Sequence, residues 1–445
     1  MKGSIRKLRY WWRLLTAFWR KRKKLIIGGA IISFLFFLFS PRLLNYLLPK
    51  NTQKIGVVGR FSQEELPTEI QRLISDGLTS IMPDGEATPS LASSWEVKEE
   101  GKEYLFTLKD DASWQNGKPV LAKDINYNFN DVTYGVIEEK KIKFQLKEPF
   151  VPFPIVVSRP IFMKGLIGTG EYQVKSMSKN GQIVEKMVLI PARDKSKPIL
   201  VYHFYPTESA ARTAFKLGEV QTLKEISNPG ELETWQGVKV TSKIKFDRFI
   251  AIYFDTQSQH FGNKSLRQAL AYAIQKKWEP RAFGSINPNS WAYNADVKPY
   301  NYDLENAKTL LKKAAEENGE ALQSVELSTI PSLLSLAEEI KNDWQELGIE
   351  VKIKIINSLG ESFDALLVTQ EIPPDPDQYS LWHSTQASNI SRFKSPKLDK
   401  LLEDGRKTLD KEKRKEIYAD FQRFLVEDTP AIFLFHPTLY TVSRD

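Results

Sequence analysis

The sequence contains no cysteine, and that absence excludes several classes of protein. Without thiols the chain has no disulfide bond, thiolate metal site or cysteine nucleophile, and no lipid can be attached through an N-terminal cysteine. Histidine is also scarce, and its four occurrences are His203, His260, His383 and His436. No two of them stand three or four positions apart, the spacing of a metal-binding pair on one helix face. We therefore predict no metal site and no cofactor.

Catalytic signatures are missing as well. The chain has no Gly-x-Ser-x-Gly nucleophile motif and no HExxH zinc motif. Gly168-Thr169-Gly170 is the nearest approach to a phosphate-binding loop, but the Gly-Lys-Ser/Thr ending of such a loop does not follow it. The sequence therefore predicts that this protein is not an enzyme.

Acidic residues are absent from the first part of the chain. Residues 1–63 contain 14 Lys and Arg and no Asp or Glu. The rest of the chain holds the other 49 of the 63 basic residues and all 55 acidic residues, a net charge of −6. The formal charge of +8 therefore belongs to a basic tail on an acidic body. That distribution favours a membrane partner and argues against a nucleic acid.

The basic tail contains a long apolar run. Residues 25–40 carry no charge, and the leucines up to residue 48 extend the run to the roughly 20 residues that a bilayer requires. Ten Lys and Arg in residues 1–24 place the N-terminus in the cytoplasm. A cleaved signal peptide is the weaker interpretation, because Ser40-Pro41-Arg42-Leu43 lacks a small-x-small cleavage site. We predict a single-pass anchor over 25–48, a basic segment 1–24 at the membrane surface and an extracytoplasmic body.

The body alternates between strand and helix patterns, which predicts an α/β fold. Tyr104, Phe106 and Leu108 alternate with polar neighbours as in a half-buried strand, and Asp124 is placed to cap a following helix. Ser265 to Gln268 is typical of a capping box. Further helices are predicted over residues 68–78, 208–217, 304–314, 333–347, 398–406 and 411–425, and Asp303 is placed to cap the third of them. Further strands are predicted over residues 54–59, 201–205, 250–255, 349–355, 363–368 and 431–435.

One stretch carries a family resemblance. It consists of Pro89-x-Leu91-Ala92-x-x-Trp95, Tyr104-x-Phe106-x-Leu108, Trp114-x-x-Gly117-Lys118-Pro119 and Ala122-x-Asp124. This order resembles the signature of the family-5 extracellular solute-binding proteins, the oligopeptide, dipeptide and nickel receptors of ABC importers. The resemblance implies a two-lobed periplasmic-binding-protein type II fold with an extra subdomain, here preceded by the predicted transmembrane helix. The implied division is lobe I over 52–82 and 165–255, a shortened extra subdomain over 83–164, lobe II over 256–430 and a return toward lobe I over 431–445.

The candidate ligand site is the segment that follows the predicted strand 363–368, because α/β folds bind ligands at the carboxyl ends of strands. Its candidate ligand-binding residues are Glu371, Ile372, Asp375, Tyr379 and Trp382, and Arg60 and Phe61 are candidates for the opposite wall. For Asp375 we favour the alternative role of capping a turn. For Glu371 and Trp382, ligand binding and a structural role are equally supported.

The resemblance also bears on the ligand. Peptide-binding relatives carry an aspartate four residues before the proline matched here by Pro376, and it pairs with the α-amino group of the peptide. This chain has Ile372 at that position. Because a buried ammonium group needs an opposite charge, either Glu371 replaces the aspartate or the ligand has no free amine.

The prediction is a membrane-anchored binding protein that captures peptide-like ligands and delivers them to an ABC permease. The alternative is a membrane-anchored sensor or adaptor on the same scaffold without a transport role.

Overall fold

The computed structural model describes residues 51–356 and 362–444. The predicted anchor 25–48 and the basic segment 1–24 lie outside these residues. Within them, no helix has both the length and the apolar character needed to span a membrane. Residues 51–53 and 197–199 form a small unit in which the amide of Ile199 donates to the carbonyl of Asn51 at 2.8 Å. The other described residues form a second, larger unit, which contains the elements of the functional site.

Strands and helices alternate along the described residues, as predicted. The strands are β1 Thr52–Val58, β2 Thr79–Ile81, β3 Ala87–Pro89, β4 Ala92–Lys98, β5 Glu103–Leu108, β6 Val132–Glu138, β7 Lys141–Leu146, β8 Tyr172–Asn180, β9 Ile183–Pro191, β10 Ile199–Tyr205, β11 Thr222–Ile226, β12 Val238–Ile244, β13 Arg248–Phe254, β14 Ser324–Thr329, β15 Glu350–Ile355, β16 Ala365–Glu371, β17 Ala431–Phe435 and β18 Thr438–Arg444. The α-helices are α1 Thr68–Ile74, α2 Phe153–Val156, α3 Glu208–Lys216, α4 Lys264–Tyr272, α5 Leu304–Asn318, α6 Leu334–Gln345, α7 Tyr379–Trp382, α8 Pro396–Lys407 and α9 Lys411–Asp428.

Lobe I is built on a seven-stranded sheet with the order β12-β18-β11-β1-β10-β9-β8. β1 lies parallel to β11, and β18 pairs antiparallel with both β11 and β12. The core on one side of this sheet includes Ile55, Tyr202 and, from α1, Ile70 and Ile74. β18, the last strand of the described residues, lies between β12 and β11, so the chain re-enters this sheet after β17.

Lobe II is built on a five-stranded sheet with the order β15-β14-β16-β13-β17. The fourth strand of this order, β13, is buried from Phe249 to Phe254, so side chains on both of its faces pack against helices or loops. The resemblance assigned residues up to 255 to lobe I and residues after 430 to the return segment. That boundary is corrected by the pairing, because β13 and β17 hydrogen-bond to each other within the sheet of lobe II.

The extra subdomain has a four-stranded sheet with the order β4-β5-β7-β6. β4 and β5 form an antiparallel hairpin, in which Trp95 pairs with Phe106 and Val97 with Tyr104. The helix predicted after Asp124 is not formed. Asp124 closes a single 3-10 turn, where its carboxylate accepts from the amide of Leu121 at 3.1 Å, and Ile125 is already extended.

Two helix starts test the capping predictions. Asp303 caps α5 as predicted, because its carboxylate accepts from the amide of Asn306 at 3.0 Å. The capping box at Ser265 to Gln268 is wrong. α4 is capped by Asn263, two residues before Ser265, while the side-chain amide of Gln268 donates instead to the hydroxyl of Tyr300 at 2.9 Å.

The Gly168-Thr169-Gly170 motif joins the subdomain to lobe I. The side-chain amide of Gln115, from the subdomain, donates to the carbonyls of Ile74, Gly170 and Tyr172 at 2.6–3.2 Å, and its oxygen accepts from the amide of Gly168 at 3.0 Å. The hydroxyl of Thr169 donates to Asp76 at 3.0 Å. These contacts end α1 at Ile74, four residues before the predicted end. The motif is therefore a structural joint.

We expect Gly168→Ala to destabilise the protein by about 2–3 kcal/mol, because a methyl group there would overlap the carbonyl oxygen of Ile74 and force the joint apart. Urea denaturation of the variant and the native protein measures the difference. Gly135→Ala is the matched control, since Gly135 has open space around its Cα. Equal midpoints for the two variants would show that the joint is not close-packed.

The two lobes are connected by two neighbouring crossings of the chain. Residues 245–247 join β12 to β13, and residues 436–437 join β17 to β18. The amide of Lys245 donates to the carbonyl of Pro437 at 2.9 Å, and Nδ1 of His436 donates to the carbonyl of Arg248 at 2.8 Å. The two crossings are therefore bonded to each other at the base of the space between the lobes.

Candidate ligand cleft

A cavity of about 800 Å³ lies between the sheets of the two lobes, above the two crossings. Lobe I contributes the end of β1, the following loop, α1 and parts of β10, β11 and β18, and lobe II contributes the ends of β13 and β16. The lining residues are Val57, Val58, Phe61, Leu66, Pro67, Thr68, Glu69, Ile70, Leu73, Tyr202, Lys224, Glu225, Lys245, Asp247, Arg248, Glu371, Ile372, Pro374 and Leu439. The volume falls within the range of small-molecule binding sites.

One wall of the cleft is apolar. It is formed by Phe61 and Leu66 from the loop after β1 and by Ile70 and Leu73 from α1. The ring of Phe61 meets the ring of Phe204 edge to face, with 5.5 Å between centroids. These side chains belong to the core of lobe I or pack against it, so the wall is held in place by the sheet behind it.

The base of the cleft is charged, and its side chains form a chain of ion pairs. Nζ of Lys245 lies 2.7 Å from Glu225 and 3.3 Å from Asp247. Nε of Arg248 lies 3.1 Å from Asp247, and its Nη2 lies 3.7 Å from Glu371. The series therefore runs from β11 in lobe I, through the first crossing, to the end of β16 in lobe II.

These groups are held in their charged forms. Burial alone would lower the pKa of Lys245, but the carboxylates of Glu225 and Asp247 outweigh it and raise that pKa. Burial alone would raise the pKa of Asp247, but its hydrogen bond to Arg248 and the neighbouring positive charges lower it. At neutral pH the cleft base therefore presents fixed charges of both signs.

A bulge in β11 aims Glu225 into the cleft. The register between β11 and β18 shifts between Leu223 and Ile226, and Glu225 has a φ of +54°, in the left-handed region. Bulges redirect a side chain out of the alternating pattern of a strand, and non-glycine residues in this region are concentrated at functional sites. Here the redirection lets Glu225 reach Lys245.

Two charged side chains of the cleft have no partner among the described residues. Lys224, half-buried beside Glu225, makes no ion pair or side-chain hydrogen bond there, and neither does Glu69 in the first turn of α1. A ligand carboxylate could approach Lys224 and a ligand cation could approach Glu69 without first breaking an existing pair.

Three of the predicted site residues line the cleft, namely Phe61, Glu371 and Ile372. The side chain of Glu371 is 79% exposed, whereas Ile372 is buried and its amide donates to the carbonyl of Asp247 at 2.8 Å. Arg60 is exposed and does not line the cleft.

The other three predicted residues are placed elsewhere. Asp375 is buried and accepts from the amide of Asp377 at 2.8 Å, the turn-capping contact favoured for it, and it also forms a two-point ion pair with Arg414. Tyr379 packs against the guanidinium of Arg406, with 4.1 Å between that group and the ring centroid. Trp382 is 1% exposed and stacks on Tyr253 in the core of lobe II at 5.6 Å. The expectation that Tyr379 and Trp382 line the cleft is corrected by these contacts.

The sequence analysis missed the residues of the charged base. These are Lys224, Glu225, Lys245, Asp247 and Arg248. A signal existed in the run Lys243-Ile-Lys-Phe-Asp-Arg248, whose charges interrupt the apolar pattern between two strands. The run lies at the base of the cleft because β12 and β13 belong to different sheets. Strand periodicity does not reveal that difference.

The described residues hold no candidate metal site beside this cleft. Across residues 51–356 and 362–444, no three His, Cys, Asp or Glu side chains are grouped so that they could hold a metal ion. His436 lies behind the charged base, where burial lowers its pKa and its ring packs against Phe246 at 5.2 Å.

A comparison with known protein families identifies the family of this chain. The family described as bacterial extracellular solute-binding proteins, family 5, middle, matches residues 86–135 and 131–391. The chain belongs to this family. The resemblance of residues 89–124 to the family signature is thereby confirmed, and as a family-5 protein it binds solutes for transport and is not an enzyme.

Individual relatives of this family-5 protein are distant but cover most of it. The dipeptide-binding protein of Escherichia coli K12 is 25% identical, over 81% of this chain and 82% of its own. NikZ from Campylobacter jejuni in complex with Ni(L-His) is 23% identical, with a TM-score of 0.75 over 89% of this chain and 95% of that chain. DppA from Helicobacter pylori in complex with the peptide STSA is 21% identical, with a TM-score of 0.69 over 89% and 94%. These structures show that the mixed α/β fold is that of periplasmic binding proteins.

Proposed function

We propose that this protein captures short peptides between its two lobes and delivers them to an ABC permease. The observation that carries the proposal is the cleft, which combines an apolar wall with unpaired charges of both signs. A short peptide offers an ammonium group, a carboxylate and side chains, and therefore complements all of these features. The names of the E. coli and H. pylori relatives, one a dipeptide-binding protein and one bound to a peptide, support the same ligand class.

A nickel complex is the ligand of another relative, NikZ. Imidazole is a favourable ligand for nickel. The cleft lining contains no histidine among the residues that the structure describes. The peptide is therefore the better-supported ligand for this chain.

We assign the ends of the peptide to the charged side chains of the cleft. Lys224 would receive the carboxylate, because it is the cation of the lining without a partner in the described residues. Glu371 would receive the amine in place of the missing aspartate, and Glu69 would be the alternative amine partner. Closure of the lobes about the crossings at 245–247 and 436–437 would then be favoured by contacts that the ligand makes only in the closed form.

The membrane anchor completes the proposal. Residues 25–48 would hold the protein in the membrane, with the basic segment 1–24 on the cytoplasmic side. The composition of these residues is the support for this part of the proposal. A sensor or adaptor on the same scaffold is the competing function. It would be favoured if no peptide binds.

We expect Lys224→Met to weaken binding of a free-acid tripeptide about tenfold and to leave binding of the C-terminally amidated peptide unchanged, because only the free acid has a carboxylate for Lys224 to bind. Titration calorimetry on the full chain in detergent measures both affinities. Glu371→Ala is expected to affect the N-terminal end of the peptide. It should weaken the binding of peptides with a free amine more than the binding of N-acetylated peptides.

Lys239→Met is the matched control, since Lys239 is exposed on β12 of the same sheet and does not line the cleft. An equal loss of affinity for the free-acid and the amidated peptide would show that Lys224 does not bind the carboxylate of the peptide. Failure of every peptide to bind the native protein would contradict the peptide function and favour the adaptor.

A further inference from the structure

A second cavity, of about 120 Å³, adjoins the ligand cleft where the β2–β3 hairpin meets lobe II. Its lining residues are Met82, Pro83, Asp84, Gly85, Asp247, Asn287, Ser290, Ile372 and Pro374. Three of them, Asp247, Ile372 and Pro374, also line the ligand cleft. The two spaces are therefore neighbours, separated by residues that they share. The smaller one has the dimensions of an amino-acid side chain.

The tip of the hairpin, residues 82–86, is held firmly against lobe II. The amide of Met82 donates to the carbonyl of Glu86 at 2.8 Å, and the amide of Trp291 donates to the carbonyl of Asp84 at 3.3 Å. Gly85 has a φ of +88°, and any side chain there would overlap the carbonyl oxygen of Pro374. Glu86 forms an ion pair with Lys411 of α9. The hairpin tip is thus a fixed wall of the cavity.

This wall presents a carboxylate to the cavity. Oδ1 of Asp84 accepts from the amide of Glu86 at 3.0 Å, which orients the side chain, while Oδ2 has no partner among the described residues. Ser290 is 7% exposed, and its hydroxyl accepts from the amide of Ala292 at 3.3 Å. Its proton has no acceptor within the described part of the chain. Two polar groups of the cavity therefore retain unused hydrogen-bonding capacity.

The charge of the cavity has one sign. Asp84 and Asp247 are its ionisable residues, and the lining given above includes no lysine, arginine or histidine. Asp247 is already paired with Lys245 and Arg248, whereas Asp84 has no ion-pair partner in the described residues. A cation that entered this space would meet a fixed carboxylate. An anion would meet two carboxylates, and a purely apolar group would leave Asp84 desolvated without compensation.

We infer that this cavity receives a basic side chain of a peptide bound in the cleft, with Asp84 as its charge partner. The inference rests on the proposed peptide function and adds a preference for lysine or arginine at one position of the peptide. A lysine side chain is long and flexible and carries its charge at the end, which suits a small cavity beside the cleft that is lined by a carboxylate.

The test is calorimetry on the full chain in detergent with three tripeptides, each carrying one lysine at a different position among alanines. Each is compared with the same peptide containing norleucine, which has the length of lysine without its charge. At one position we expect the lysine peptide to bind about tenfold more tightly than its norleucine partner. In Asp84→Asn this ratio should fall to about one, while trialanine binds as before.

Asp110→Asn is the matched control, because Asp110 is an exposed aspartate of the same subdomain outside both cavities, and it should keep the native ratio. Equal binding of lysine and norleucine peptides at all three positions would overturn the basic subsite and leave the peptide function standing. An unchanged ratio in Asp84→Asn would likewise overturn the role of Asp84. Failure of all peptides, trialanine included, would overturn the peptide function and the subsite together.

Discussion

Replacing Asp375 with asparagine is expected to destabilise the protein by about 3–5 kcal/mol, because it leaves the buried guanidinium of Arg414 without its counter-charge. Nη1 and Nη2 of Arg414 lie 3.1 Å and 2.5 Å from the two carboxylate oxygens, and the two side chains are 6% and 10% exposed. Burial alone would lower the pKa of Arg414, but the charge of Asp375 outweighs it and raises the pKa. Because the guanidinium of arginine is not deprotonated in proteins, Arg414 stays charged when the carboxylate is removed. Urea denaturation at neutral pH measures the loss.

The double variant Asp375→Asn with Arg414→Met separates this cause from a general disturbance of the loop. Removing both charges should recover part of the stability, since no uncompensated charge then remains buried. Lys98→Met is the surface control. It breaks an ion pair with Glu96 whose side chains are 49% and 65% exposed, and exposed pairs contribute about 0–1 kcal/mol. A single Asp375 variant as stable as this control would refute the expectation.

Trp382→Ala is expected to cost about 3–5 kcal/mol of unfolding free energy, because it removes a large side chain from the core of lobe II. The indole is 1% exposed, stacks on Tyr253 at 5.6 Å and meets the ring of Phe433 at 6.2 Å. The sequence analysis treated Trp382 as a possible ligand contact. Thermal and urea denaturation, together with peptide affinity measured below the unfolding transition, distinguish the two roles.

Trp382→Phe keeps an aromatic ring in the same space and is expected to lose less stability than the alanine variant. The indole nitrogen has no hydrogen-bond partner in the structure, so its removal carries no cost in hydrogen bonding. Both variants should bind peptide with native affinity while folded. An alanine variant with native stability but weakened peptide binding would show that Trp382 contacts the ligand.

The contacts of the segment that follows β16 show how the cleft wall is supported. Pro374 contacts the ligand cleft, and the next residue, Asp375, is fixed to α9 through Arg414. Asp377 is fixed to α8 through Nε of Arg406 at 2.9 Å. Arg406 in turn lies 4.8 Å from the ring of Phe150 in the subdomain, and its carbonyl accepts from the amide of Val151 at 2.9 Å. The segment after β16 thus joins the cleft, the helices of lobe II and the subdomain.

Much of the fold could be predicted because its signals are local. The alternation of Tyr104, Phe106 and Leu108 predicted a strand, and the structure buries Tyr104, Phe106 and Leu108 in the subdomain core. Asp303 predicted the start of α5 because a cap acts over three residues. The prediction of a helix after Asp124 was wrong, because the local signal there fits two different structures. An aspartate before an apolar residue can also close a single turn, and only the packing around Ile125 selects between them.

The site was predicted in part. Glu371 and Ile372 were chosen for their position at the carboxyl end of a strand, and both line the cleft. Residues farther along the same loop could face either the cleft or the helices behind it. Asp375 turns to Arg414 of α9, and Trp382 turns to Tyr253 of β13 in the core of lobe II. The anchor over 25–48 lies outside the described residues and stays a prediction.

The sequence by itself determined the family, the α/β class, the absence of thiol chemistry and the separation of a basic tail from an acidic body. Each of these depends on composition or on residues within one short segment. The tertiary structure alone decided the charged base of the cleft and the second cavity. Their residues come from separate segments such as β11, the crossing at 245–247, the hairpin tip at 82–86 and the end of β16. Those segments meet only because the chain crosses between two sheets, and that crossing is set by long-range strand pairing, which leaves no local periodicity in the sequence.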